Sequence, residues 1–579
     1  MNYQDEFSKI GYKNLDEFNN VYVSEKDNIN YSDGEIENKI LNILKKEELK
    51  TKNSFPSLEE HIEDWATEYH FSWVRQNILK PINFTQADVV LELGGGTGII
   101  SEYVVGKSKK LITIEGTKIR AKSISTRCSS FENIDIFVAD FLDLDLIEIF
   151  GENSFSKILL IGVLEYVPKY SKNKNIDPID KLLADCRKLL KHNGELVIAI
   201  ENKIGLKYLL GREEDHVGIK HYGTQSLYKK DDVITFTKNQ LMNRLKDSGY
   251  DQIDCFYPFP DYKLPKVIIK EDENLYLPES KELISSLLTG IKTRNYSGRV
   301  TEELQEDRIL KSFIEEEILG TISNSFLFIA KGSEVEKRTP FAYYFSTSRK
   351  YQFSNEMVFS MLNDEIMVTK KWNGESTRNE LLNLNANYGG ISYKLTNGKL
   401  LSNLLNNYNI INDKENYLMM LNKWINLLVK DFEYYDNNFD LLPINVIVSQ
   451  DNNLTFFDCN EWTTNEKFTI PQIIKRFVLM NIDHVNWLFG NCENIDDYVF
   501  LILKNNNIST QNIEGLEKLE EIHQFVNINI FKNDYLKNKD INVQKSAKKQ
   551  KNNKWKKTTR YLLPPIFFIV YKKLIKYLK

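Results

Sequence analysis

Three apolar runs, each leading into an acid, constrain this chain more than anything else in it. Val90-Leu91 runs into Glu92 and then into three alternate glycines, Gly94, Gly96 and Gly98, which open an amphipathic segment from Ile99 to Val105. Leu111 to Ile114 ends in Glu115, and the run from Ile134 to Val138 leads to Asp140. A strand, a glycine turn and a helix, with acids at the ends of the neighbouring strands, predict a nucleoside-type cofactor laid across the carboxyl ends of a parallel sheet. The glycines supply backbone angles that a Cβ penalises and let the chain approach a ligand closely. Glu115 stands where a carboxylate accepts both ribose hydroxyls, and Asp140 where one accepts an exocyclic amine.

The spacing narrows the cofactor. A dinucleotide site reads G-x-G-x-x-G, whereas these glycines are two apart throughout. With Glu92 two residues ahead of Gly94, the segment resembles the S-adenosylmethionine site of class I methyltransferases. That resemblance implies an α/β, Rossmann-like domain in which Glu92, Gly94, Gly96, Gly98, Glu115 and Asp140 hold the cofactor. Further strands, Ile158 to Ile161 and Glu195 to Ile200, alternate with a helix near Pro178 to Lys191, as a mainly parallel sheet requires. Residues 232 to 262 predict another helix and strand, and Ser325 to Ala330 a closing edge strand.

Composition fits a multidomain, intracellular protein. A chain of 579 residues with 42% hydrophobic and 12% aromatic content can bury two or three cores. Five scattered cysteines without a CxxC imply neither a disulfide framework nor a zinc site. The first residues are polar and acidic, which predicts a cytosolic protein without a secretory signal. The net charge of −5 hides an asymmetry, because Lys545 to Lys579 carries eleven lysines, one arginine and no acid. A cationic tail on an acidic body predicts contact with an anionic surface. No nucleic-acid-binding signature accompanies it, so nucleic acid is not an expected partner.

Four segments after the expected strands go beyond cofactor binding. They are Leu160 to Pro168, Ala199 to Tyr208, Glu213 to His216 and Tyr257 to Pro265. Together they resemble a family of bacterial methyltransferases of cell-surface polysaccharide loci, whose members carry similar LIGVLEY, IEN-x-x-GLKY, EDH and YP-x-PDYKLP stretches. The resemblance covers about residues 60 to 330 and implies a sugar hydroxyl or phosphate as methyl acceptor. Such a hydroxyl needs a proton acceptor, for which His216 is the first choice, Glu165 the second and His221 the third. Glu201 and Asn202 have a structural reading as strand-end polar groups.

A second constellation lies downstream. Asp440 and Asn445 stand five residues apart ahead of an apolar run, Val446 to Val448, and a second run from Leu454 to Phe457 ends in Asp458. This resembles the catalytic loop and metal-binding aspartate of protein-kinase-like phosphotransferases. The resemblance implies Asp440 at the acceptor hydroxyl, Asn445 and Asp458 on magnesium, and ATP as donor. Lys370, in phase with Ile366 and Val368 beyond a turn at Asn363-Asp364, is the better phosphate-binding lysine, with Lys371 the alternative and Glu380 its ion-pair partner. Asn438 stands where kinases carry histidine, and Asp458-Cys459-Asn460 where they carry DFG.

The expected organisation is therefore a polar extension (1–60), a methyltransferase domain (61–332, with a helical insertion at about 270–318), an α+β kinase-like domain (340–510), a helical connector (511–544) and a basic amphipathic tail (545–579). The order resembles bifunctional enzymes that cap O-antigen chains by methylation and phosphorylation. It implies a lipid-linked glycan substrate at the inner face of the cell membrane, in company with glycosyltransferases of the same pathway. Eleven uncharged residues, Tyr561 to Tyr571, are too few to span a bilayer, so the tail is expected to lie in the interface or to dock a partner protein. The competing readings are a methyltransferase for another small metabolite, and a scaffold whose pseudokinase binds glycan or polymerase partners.

Overall fold

The computed structural model describes residues 3–508, apart from segments 16–17, 25–33, 48–53, 173–174, 294–305, 333–339, 375–383, 387–390, 396–397, 436–439, 458–461 and 465–467 and residues 491 and 493. Glu380, Asp458, the connector and the basic tail therefore lie outside the described residues.

One sheet of fourteen strands organises the molecule. In chain order its strands are β1 (Lys13–Leu15), β2 (Phe18–Val23), β3 (Val89–Leu93), β4 (Lys110–Glu115), β5 (Ile134–Val138), β6 (Phe155–Ile161), β7 (Leu190–Glu201), β8 (Gln252–Phe259), β9 (Val267–Lys270), β10 (Ser325–Lys331), β11 (Pro340–Phe345), β12 (Asn355–Leu362) and β13 (Glu365–Trp372). A short strand, β14 (Leu384–Ala386), pairs elsewhere, and β15 (Ile391–Lys394) completes the set. The spatial order is β1-β2-β5-β4-β3-β6-β7-β10-β8-β9-β11-β12-β13-β15. β2, β5, β4, β3, β6 and β7 run parallel, and β10 is antiparallel to both β7 and β8.

Both faces of the parallel part are covered, which is why its strands are apolar throughout. Leu91, Ile112, Leu160 and Ile198 join a core with the helix Pro178–Leu189, while Val90, Leu111, Leu159 and Val197 join the opposite core with Ile99–Val105 and Lys118–Arg127. The order of β3 reverses direction of growth at β3, with β4 on one side and β6 on the other, so the ends of these strands form the cleft of a doubly wound sheet.

Two expectations need correction. β10 is not an edge strand: all seven of its residues are buried, and it lies between β7 and β8. An uninterrupted apolar run covered on both faces belongs inside a sheet. Nor are residues 1–60 a mere extension. Helix Tyr3–Lys9 places Phe7 on Phe137 with ring centroids 3.5 Å apart, and β2 pairs in parallel with β5. Alternation of Val21 and Tyr22 onto opposite faces is the only sequence trace of that strand.

Beyond β9 the sheet continues without a break into the downstream unit through β11, β12, β13 and β15. β12 and β13 form a two-residue hairpin at Asn363 and Asp364, both with positive φ, as such turns demand. The helices Leu401–Ile410, Lys414–Asp431, Ile470–Met480, Ile482–Phe489 and Ile495–Asn505 build a separate core around Trp424, Phe477 and Val499. Against them lies a small sheet of β16 (Lys399–Leu400), β17 (Val446–Val448) and β18 (Leu454–Phe456). No helix among the described residues is long and apolar enough to cross a membrane.

Candidate active site

A cavity of about 670 Å³ opens at the carboxyl ends of β3, β4 and β6. Its first end is the glycine turn. Gly94, Gly96 and Gly98 all take positive φ, between +57° and +87°, which explains their alternation. A Cβ on Gly96 would meet no heavy atom within 4 Å, because it would project into the cavity, whereas one on Gly98 would press to 2.9 Å of the Ile124 backbone. Gly98 is thus required by helix packing and Gly96 by access to the cavity.

The acids sort into different tasks. Glu115 is buried on the cavity wall, accepting the Gly96 amide at 2.8 Å and the Thr117 amide at 3.2 Å. Burial raises its pKa, opposed by Arg120 and these amides. Glu92 is braced by the hydroxyls of Ser101 (2.6 Å) and Thr113 (2.9 Å), and burial lifts it to about 7. Asp140, half-buried, accepts the Leu142 amide and lines the same cavity.

Sequence reasoning did not find the groups behind the turn. Arg127 is buried and donates to the carbonyls of Thr97 (3.1 Å) and His70 (2.7 Å), with Glu102 as its ion-pair partner. His70 meets the Thr97 hydroxyl at 2.7 Å, and Arg75 lies 3.9 Å from the Tyr69 ring centroid. Arg127 shares its helix face with Arg120, Ser123 and Ile124, and that spacing by itself says nothing of its partners.

At the far end of the cavity the four unusual segments converge. Lys263 reaches Glu201 at 2.6 Å and Asp215 at 2.5 Å, and Lys207 reaches Asp215 at 2.8 Å. His216 Nδ1 faces the Tyr166 hydroxyl at 3.2 Å, and its Nε2 lies 3.5 Å from Glu201. Glu165 is fully buried on the cavity wall, and neither of its carboxylate oxygens has a hydrogen-bond partner among the described residues. Each segment contributes: Glu165 and Tyr166 after β6, Glu201 and Lys207 after β7, then Asp215, His216 and Lys263.

Charge in this cluster is uneven. Lys207 and Lys263 offset Glu201 and Asp215, which leaves His216 as the cation facing Glu165. Burial, reinforced by Glu201, pushes Glu165 up to about 8. Burial also works against charge on Glu201, yet Lys263 and His216 hold it well below the carboxylate range. For His216 burial favours the neutral ring, but Glu201 and Glu165 outweigh it and raise the imidazole to about 9. The two carboxylates therefore favour the protonated ring of His216 near neutral pH. His221 sits in a turn with positive φ, outside the cavity lining. Asn202 is structural, donating to the carbonyls of Thr321 and Ser323 at 2.8 Å, whereas Glu201 belongs to the cluster.

A larger cavity, about 930 Å³, lies in the downstream unit. Lys370, Asp440 and Asn445 all line it. Lys370 is buried in register with Ile366 and Val368, while Lys371 is exposed. Asp440 pairs with Arg476 at 2.7 Å, and the Asn445 amide donates to the Asp440 carbonyl at 2.8 Å. Helix Pro278–Leu288, part of the upstream insertion, forms one wall through Glu279, Glu282, Leu283 and Leu287.

Residues 72–175 match the sequence profile of the family described as ribosomal RNA adenine dimethylase. Among curated proteins, the chain is similar to ribosomal RNA small subunit methyltransferase A of Sulfurihydrogenibium sp., 29% identical over 94 residues, 16% of this chain and 36% of that protein. The enzyme of the same name from Francisella tularensis subsp. novicida is 28% identical over 133 residues, 22% of this chain and 50% of its own. The chain thus spans half or less of the length of these relatives. Solved structures that overlap it include Haemonchus contortus phosphoethanolamine N-methyltransferase 2 in complex with S-adenosyl-L-methionine (TM-score 0.28, 15% identity, 45% of this chain and 52% of that one). A SAM-dependent methyltransferase from Archaeoglobus fulgidus overlaps at TM-score 0.27 with 14% identity, covering 46% and 96%. The family match spans the glycine turn and the strand-end acids, so the doubly wound part of the chain is a class I methyltransferase domain.

Proposed function

We propose that this domain transfers a methyl group from S-adenosylmethionine to an oxygen of a cell-surface glycan. The supporting observation is a single cavity that joins the glycine turn to the Glu165–His216 cluster. The turn fits the cofactor: Gly96 presents an open approach, Glu115 a carboxylate for the ribose hydroxyls and Asp140 one for the adenine amine. Bound there, the cofactor supplies an electrophilic methyl group on a sulfonium. Glu165, His216 and Lys263 line the opposite end and would seat the acceptor oxygen in line with that methyl, so that the barrier falls chiefly through orientation.

Ribosomal RNA, named in the relatives, is a competing acceptor. The match includes Glu165 and Tyr166, but Glu201, Asp215, His216 and Lys263 lie beyond residues 72–175, so most of the acceptor end is outside it. A small metabolite is another competing acceptor. Radiolabelled methyl transfer to lipid-linked oligosaccharides, measured beside a ribosomal RNA fragment, tests the reading. Glu165→Gln should lower kcat on the order of 100-fold, and transfer to RNA alone would overturn the glycan assignment.

The downstream unit favours a second activity, because Lys370, Asp440 and Asn445 share one cavity. We propose that it is kinase-like and phosphorylates the same glycan from ATP, with magnesium on Asn445 and Asp458 and with Glu380 beside Lys370. Calorimetry of ATP binding with and without magnesium tests it. Binding should persist in Asp440→Ala while phosphate transfer stops. No ATP binding by the intact chain would leave a scaffold that holds glycan or polymerase partners. The basic segment Lys545 to Lys579 supports peripheral attachment to an anionic membrane face, where glycosyltransferases of the pathway would also sit. Failure to sediment with anionic liposomes at low salt would reassign it to protein docking.

A further inference from the structure

We infer that Glu165, Glu201 and His216 form a binding site for one divalent cation of the Mn²⁺ or Zn²⁺ class, at the acceptor end of the methyltransferase cavity. One ligand atom from each of the three lies within 4.8 Å of the others. All three side chains are at least nine-tenths buried, and Glu165 and His216 line the cavity itself. Two carboxylates and an imidazole are the oxygen and nitrogen donors that such cations take, the ion displacing to solvent the protons that His216 and Glu165 otherwise hold near neutral pH.

Acidic groups cluster often without holding a metal, and here the second observation is hydrogen bonding. Both oxygens of Glu165 are buried without a hydrogen-bond partner among the described residues, whereas Glu201 already has Lys263 at 2.6 Å and His216 at 3.5 Å. Leaving buried polar atoms in that state is costly unless something else satisfies them. Lys263 contributes charge to Glu201 through Oε1, which leaves Oε2 directed toward His216 at 3.5 Å. Ligands about a cation with bonds of roughly 2.0–2.2 Å stand about 3.3 Å apart in a tetrahedron, so this spacing already suits a shared ion.

The imidazole is also oriented as a ligand would be. Tyr166 engages Nδ1 and so aims Nε2 at the carboxylates, the arrangement by which outer partners fix a metal-binding histidine. Asp215 is excluded from the set because Lys207 and Lys263 both occupy Oδ2. A cation here would bind oxygen donors of the acceptor and favour their deprotonated form. Glu165 and His216 would then act as ligands and not as proton carriers. Its binding does not depend on the methyl-transfer reading; only its role does.

The test uses full-length protein dialysed against EDTA. Mn²⁺ is titrated by electron paramagnetic resonance and Zn²⁺ by calorimetry, with S-adenosylmethionine affinity measured on each sample as a check of the domain. The wild type should take up one equivalent of at least one of the two. Glu165→Gln should weaken that binding more than tenfold and leave cofactor affinity unchanged. Tyr166→Phe, which keeps all three ligands, should weaken it 10–100-fold. Failure of the wild type to bind either cation, or wild-type affinity in Glu165→Gln, would overturn the site. A cation site present without methyl transfer would instead count against the proposed function alone.

Discussion

Glu92 shows how a single buried acid links the glycine turn to pH. Its neighbours are the hydroxyls of Ser101 and Thr113, the carboxylate of Glu115 and the more distant guanidinium of Arg75. Burial lifts it from 4.5 to about 7, so the folded chain keeps a proton that the unfolded chain releases. The contribution is therefore fully present below pH 4.5 and falls as pH rises toward 7, by at most about 3 kcal/mol. Glu92→Gln should flatten that slope in denaturant titrations at pH 5 and 8; parallel losses in both proteins would show that Glu92 ionises normally. Gly96→Val should block S-adenosylmethionine binding by filling the cavity. Glu115→Ala should weaken it more than tenfold, since each charged hydrogen bond contributes about 1.5–3 kcal/mol. Wild-type calorimetry in both variants would remove the cofactor assignment. These residues were legible because backbone geometry restricts what can stand there. Arg127, Arg75 and His70 were not, since long side chains reach partners that no local spacing announces.

Elements were legible to the extent that their burial was symmetrical. β3 to β7 are apolar on both faces and stood out as runs, whereas β2 shows six residues with two asparagines among them and did not. The segment Tyr3–Lys9 reads as polar because only Phe7 of its seven residues is buried. Yet Phe7 stacks on Phe137 and also meets Tyr12 and Phe150, which ties helix Tyr3–Lys9 to β5. Phe7→Ala should cost about 3–5 kcal/mol of stability in urea unfolding. A loss below about 1 kcal/mol would mean that the segment packs loosely enough to be an appendage after all. The placement of β10 was misjudged for the opposite reason. A run at the end of a domain suggests an edge, but position in sequence does not determine position in a sheet.

Across the whole molecule, the four segments after β6, β7 and β8 were legible as motifs, but their convergence on one cluster was not. They are separated by up to about a hundred residues, and only the winding of the sheet brings Glu165, Glu201 and Lys263 together. The junction between the two units was also hidden. Polar residues near 331–339 look like a linker, yet Val267, Ile268 and Ile269 of β9 pair with Tyr344, Tyr343 and Ala342 of β11. A fragment ending at residue 332 should therefore expose β9 as a bare, apolar edge and self-associate. Light scattering coupled to size exclusion checks this, and a monodisperse fragment that binds cofactor would refute it.

The shared sheet also bears on how such a chain can be inherited. Two catalytic modules joined by a tether can be shuffled between genes, since a crossover in the tether leaves both folds whole. Here a crossover at the same place would separate β9 from its partner strand and take the Pro278–Leu288 wall away from the downstream cavity. Exchange of either half alone would demand a replacement that matches an edge in register and a helix in shape. Lineages carrying this architecture should diversify by substitution around the two cavities, keeping both halves together, and not by trading them.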